Sequence, residues 1–215
     1  MRNFLNNTRS TNNPIPFNKQ IIDTVCILFA GIVLGTFSKF LDTMPTNELP
    51  FIFEFLDIGN FLGRFAVWVL IALCISIYSN SSVRASINVF VFFAGMVTSY
   101  YLYSKFVAGF FPKSYALIWI GFTFISPLLA FVCWYAKGNS KPALVLSAMI
   151  LAVLFNMTFV YGNSYFEMRS ILELITFICG VAILRRKTIK NTLIMLAIGI
   201  GIAFILNLII PFHFG

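Results

Sequence analysis

The run Tyr115-Ala-Leu-Ile-Trp-Ile-Gly-Phe-Thr-Phe-Ile-Ser-Pro-Leu-Leu-Ala-Phe-Val-Cys-Trp-Tyr-Ala136 contains no charged side chain and is bracketed by Lys113 and Lys137. A helix rises about 1.5 Å per residue, so a run of this length covers roughly 30 Å, the thickness of a bilayer's hydrocarbon core. Its ends carry Tyr115 on one side and Trp134-Tyr135 on the other. Amphipathic rings settle at headgroup depth, so the run reads as a transmembrane helix with its interfaces marked.

The rest of the chain repeats this pattern. The 215 residues are 60% hydrophobic and 10% charged, with 26 phenylalanines and a mean hydropathy of +0.91. A soluble domain needs about a quarter of its residues charged to wet its surface. The composition therefore excludes a soluble globule, a disordered chain and a disulfide-stapled secreted domain. Six more apolar segments lie at 21–41, 58–79, 87–107, 143–161, 170–184 and 192–212. The expected fold is an all-α polytopic helix bundle of seven spans, with residues 1–20 as a polar tail ordered near its end and 21–215 as one membrane domain. The sixth segment is the shortest, with room to start earlier, at Tyr165. Cys26, Cys74, Cys133 and Cys179 each sit inside an apolar run with no Cys-x-x-Cys spacing. They predict neither a disulfide framework nor a metal site.

Charge orients the segments. With the N-terminus inside and every segment crossing, the inner side collects ten bases: Arg2, Arg9, Lys19, Arg84, Lys137, Lys141, Arg185, Arg186, Lys187 and Lys190. The outer side collects five: Lys39, Arg64, Lys105, Lys113 and Arg169. Short basic loops stay cytoplasmic, which predicts N-in and C-out in a plasma (inner) membrane. The inner loop Arg185–Lys190 is expected to touch anionic lipid, and nucleic acid is not an expected partner. Asp23 alone is an inner acid, and it complements the positive end of the first helix.

Ionisable groups at membrane depth are candidates for function because their burial is costly. Lys39, Asp42, Glu54, Asp57, Arg64 and Glu173 gather at the outer side. If the helix runs unbroken from residue 57, Asp57 and Arg64 share a face seven residues apart, and Glu173 is the second candidate partner for Arg64. Two readings stand side by side: a polar vestibule that binds a small polar or anionic solute, and salt bridges that lock helix ends together. Asn156 and Asn207 are placed to hydrogen-bond across helices, and Ser126-Pro127 to kink the fourth span. Small-residue spacings at Gly31-xxx-Gly35, Gly59-xxx-Gly63 and Ala197-xxx-Gly201 permit close helix contact, within the chain or with another membrane subunit or second copy.

An enzyme reading finds little support. His213 is the single histidine and stands two residues from the C-terminus, and no Gly-x-Ser-x-Gly, phosphate-binding glycine loop or His-Glu-x-x-His occurs. No cofactor or metal is expected.

The stretches Glu54-Phe-Leu-Asp-Ile-Gly-Asn60, Arg84-Ala-Ser-Ile-Asn88, Pro112-Lys-Ser-Tyr115 and Trp134-Tyr-Ala-Lys-Gly138 resemble those of an uncharacterised family of small multi-pass bacterial membrane proteins. The resemblance spans roughly residues 20–140 and implies a helical membrane fold without assigning any residue a role. The leading expectation is a transporter-like or solute-binding membrane component with an outward polar vestibule. Its rival is an accessory or structural subunit that docks to a larger membrane complex. A cavity lined by Arg64 and Glu173 favours the first, and an exposed small-residue groove the second.

Overall fold

The computed structural model describes residues 8–10, 15–45, 48–162 and 164–209. Arg2, residues 210–212 of the last predicted span and His213 lie outside them. Nine helices and one hairpin follow in order among the described residues: α1 (Phe17–Thr43), α2 (Phe51–Phe55), α3 (Ile58–Gly63), α4 (Phe65–Tyr78), α5 (Ser82–Phe106), α6 (Lys113–Tyr135), α7 (Lys141–Thr158), β1 (Phe159–Tyr161), β2 (Phe166–Met168), α8 (Ile171–Leu184) and α9 (Ile189–Ile209).

Five of these helices, α1, α5, α6, α7 and α9, are long and apolar enough to cross a membrane. About half of the most apolar window of α5 and of α7 is buried inside the bundle, against about a fifth for α1, α6 and α9. The first two are therefore the inner helices, and the other three turn most of their apolar surface outward, as contact with lipid requires.

The second and sixth segments depart from expectation. Residues 58–79 do not form one helix, because the backbone at Arg64 is extended between α3 and α4. The indole N–H of Trp68 donates to the Leu62 carbonyl at 2.8 Å and so serves one of the acceptors that the break exposes. Nor does the sixth helix reach back to Tyr165. Phe166–Met168 instead pairs antiparallel with Phe159–Tyr161, in the register Phe159↔Met168, Val160↔Glu167 and Tyr161↔Phe166, which also takes the last three residues of the fifth predicted segment. Stacked Phe159 and Phe166, with Phe155 and Phe177 beside them, make that hairpin the lid of an aromatic cluster. Consequently α4 and α8 have 14 residues each, about 21 Å of rise, which is short of the hydrocarbon core.

Short α4 is the hinge of the packing. Its Trp68 joins Val89, Phe92 and Met96 of α5 and Ala116 and Ala130 of α6 in one core, while its Leu73 and Ile77 join Leu151, Leu154, Leu184 and Met195 of α7, α8 and α9 in a second. Helix α1 lies along α5 because Gly31 and Gly35 have no side chains. A Cβ on Gly31 would lie 2.3 Å from the Phe92 carbonyl oxygen, and one on Gly35 2.2 Å from that of Met96. In α6, Pro127 has no N–H for the Thr123 carbonyl, and the Ser126 hydroxyl donates to that oxygen at 2.8 Å in its place. Asn156 donates to the Ala203 carbonyl at 3.1 Å and accepts from Tyr161, tying α7 to α9.

Candidate functional site

The bundle has two unlike ends. One, the acidic end, carries the starts of α4 and α8, the hairpin and α2–α3. The six outer candidates do not form one constellation there. Arg64 donates to Glu173 at 2.7 Å, and the Glu173 side chain is 1% exposed against 25% for Arg64. Glu173 is the third residue of α8, and Ser170 before that helix accepts from the Glu173 N–H at 3.4 Å while its hydroxyl donates to the carboxylate. This serine-x-x-glutamate box holds the carboxylate at the helix start, where the dipole favours a negative charge. Arg64 thus bridges the start of α4 to the start of α8.

Lys39 forms a separate pair. It is buried and bonds Asp42 at 2.5 Å, with the Tyr100 hydroxyl donating to the same carboxylate at 3.3 Å and the Tyr100 ring under the ammonium. Asp57 takes neither side of the expected contact with Arg64. It stands in the left-handed region at φ 52, where Asp is tolerated, and accepts from Asn60. With the turn at Asp57 and the break at Arg64, the two no longer share a helical face. Glu54 is exposed on α2. Beside the break lies a cavity of about 30 Å³, room for one water, lined by Leu62, Gly63, Trp68, Tyr100 and Trp119 among others, and neither Arg64 nor Glu173 lines it. The six residues thus take separate partners: Arg64 with Glu173, Lys39 with Asp42, Asp57 with Asn60, and Glu54 exposed on α2.

The small-residue pairs also separate. Gly31 and Gly35 are consumed by α5. A Cβ on Gly59 would meet only the Leu41 carbonyl of α1, at 4.0 Å, and one on Gly63 would meet nothing within 4 Å, so neither glycine is required for a close helix approach. Ala197 and Gly201 face outward on α9, with open space over Gly201.

The opposite, basic end holds what the charge count alone missed. Helices α4, α6 and α8 all finish here, and each leaves carbonyls without helical partners. Arg9, from the polar tail, lies over the Trp134 ring at 4.2 Å and donates to the carbonyls of Trp134 and Ile77 at 2.7 and 3.0 Å. Lys137 donates to the Ile183 carbonyl. Arg186 donates to the carbonyls of Gly138, Ala136 and Ala143 and to the Ser147 hydroxyl. Arg84 reaches across to the Gln20 carbonyl and Thr24 of α1 and to Asn88 of its own helix. The basic loop is therefore not wholly a lipid contact, since Arg186 is turned into the protein while Arg185 and Lys187 stay exposed. The signal for this in the sequence is adjacency for Lys137 and Arg186, which stand within two residues of the ends of α6 and α8, where a cation offsets the negative pole; Arg84, in the first turn of α5, and Arg9, in the tail, carry no such signal. Likewise Thr8–Ser10 does not trail free, for the Thr8 carbonyl lies so close to Gly138 that a Cβ there would meet it at 1.9 Å.

No family model matches this chain, and neither a curated protein nor a solved structure matches it. The described residues hold no group of three or more His, Cys, Asp and Glu fit for a metal ion. The fold is an all-α, multi-pass membrane type with five long apolar helices.

Proposed function

We propose that this chain is an accessory or structural subunit of a plasma-membrane assembly, crossing seven times with its basic end in the cytoplasm. The observation that carries the reading is the outward face of α9. On α1 the glycine pair is spent inside the chain on α5, whereas Ala197 and Gly201 present the same spacing to the outside, with nothing over Gly201. In lipid, helices associate through close packing of such small-residue tracks rather than through the hydrophobic effect. The seven crossings require α4 and α8 to span with help from α3 and the hairpin, and the ten-to-five division of bases supports the orientation.

A second reading, a transporter-like or solute-binding component, is favoured by the short helices α4 and α8, which both begin at the Arg64–Glu173 pair. Interrupted helices whose positive ends converge are how transporters hold anionic groups.

Cysteine crosslinking in a cysteine-free background tests the lead reading. A probe at position 197 should give a discrete adduct in membranes, with a second copy or another subunit. The adduct should vanish with Gly201→Leu while the melting temperature of the purified chain holds. No more adduct at 197 than at exposed position 124 on α6 would overturn it. Labelling at positions 187 and 48 should find the first cytoplasmic and the second external.

A further inference from the structure

We propose that the basic end carries a binding site for a phosphate-type oxyanion, in the cleft formed where Thr8–Ser10 docks against Lys137–Ser140. This site is independent of the subunit reading and of the Arg64–Glu173 pair at the other end.

The cleft has a volume of about 420 Å³ and is lined by Thr8, Arg9, Ser10, Lys137, Gly138, Asn139 and Ser140. Two of these are cations, and Arg186 reaches the Gly138 carbonyl at its wall. The pairs Lys39–Asp42 and Arg64–Glu173 both lie at the acidic end, and among the described residues no ion pair joins a carboxylate to Arg9, Lys137 or Arg186. Their partners are carbonyl oxygens at the ends of α4, α6 and α8, joined for Arg186 by the Gly138 and Ala143 carbonyls and the Ser147 hydroxyl. A helix end carries about half a negative charge, so three ends offset roughly half of the three positive charges. The start of α7 at Ser140 adds a positive pole to the same wall. A surplus of positive charge remains in a recessed, polar space. The Lys137 ammonium is held below the usual lysine range chiefly by burial, with the charges of Arg186 and Arg9 adding to the same direction. An oxyanion in the cleft would supply the missing countercharge. The hydroxyls of Ser10 and Ser140 and the amide of Asn139 can complete its hydrogen bonds. Free phosphate and the headgroup of an anionic phospholipid share this chemistry.

Titration calorimetry on the full chain in detergent, at low salt, separates the cases. The probes are inorganic phosphate, dihexanoyl phosphatidylglycerol and dihexanoyl phosphatidylcholine. Asn139 is exposed, and no hydrogen bond of its side chain is seen among the described residues, so Asn139→Asp places a negative charge in the cleft without touching the packing. Lys190→Gln, an exposed base outside the cleft, is the control. Saturable phosphate binding, weakened about tenfold by Asn139→Asp and unchanged by Lys190→Gln, assigns a free oxyanion. Binding of phosphatidylglycerol alone, with the same response, assigns a lipid headgroup. Failure of both anionic probes to bind, equal binding of phosphatidylcholine, or equal affinity in Asn139→Asp overturns the proposal.

Discussion

Replacing Arg64 with methionine keeps the bulk of the stem and deletes the charge, which leaves Glu173 almost wholly buried, with the Ser170 hydroxyl bonded to it and the charge of Arg169 nearby. Removing one member of a buried pair costs about 3–5 kcal/mol, because the survivor keeps its desolvation penalty. The quarter exposure of Arg64 lets water reach the pair, so a loss of about 3 kcal/mol is expected. Glu173→Gln retains the hydrogen-bonding shape and leaves Arg64 with access to water, so it should cost less, about 1–2 kcal/mol. With both changed, neither member of the pair is stranded, and the loss should fall well short of the sum, with a coupling energy of about 2 kcal/mol. Reversible unfolding in mixed micelles, followed by the fluorescence of the three tryptophans, measures all three variants. Additive losses, or an Arg64→Met variant as stable as the parent, would refute the lock between α4 and α8. The second outcome, joined to loss of binding of an anionic solute, would instead favour the solute-binding reading.

Two further outcomes follow from packing and capping. Gly35→Val should cost about 1–3 kcal/mol or more, since its side chain would overlap the Met96 carbonyl and Ser99, whereas Gly201→Val should leave the isolated chain's melting temperature unchanged. Arg186→Met should destabilise by about 3 kcal/mol by stripping the donors from three carbonyls and the Ser147 hydroxyl, while Lys187→Met should stay within about 0.5 kcal/mol. Equal melting temperatures for the last two would show that the base count, and not the capping, describes the role of this loop.

The sequence alone determined the class and most of the helices. A charge-free run such as Tyr115–Ala136 satisfies its own backbone and matches the bilayer in length, so composition and period settle it without reference to the rest of the chain. Prolines and amides inside spans were legible for the same reason, since Pro127 and Asn156 create demands that local chemistry states in advance. The tertiary structure decided whether a continuous apolar segment is a continuous helix. Nothing in Ile58–Ser79 forbids one helix, and the break at Arg64 is held by partners far off in sequence: Glu173 from α8, and packing of Trp68 on α5. The same holds for the charges. Position along the chain can assign a base to one side of a membrane, but whether Arg186 meets lipid or four oxygens depends on which helix ends lie beside it, and that follows from how α4, α6, α7 and α8 pack. Likewise, Gly31-xxx-Gly35 and Ala197-xxx-Gly201 are equivalent as spacings. Only the placement of α5 against the first, and of nothing against the second, separates an internal contact from an open face.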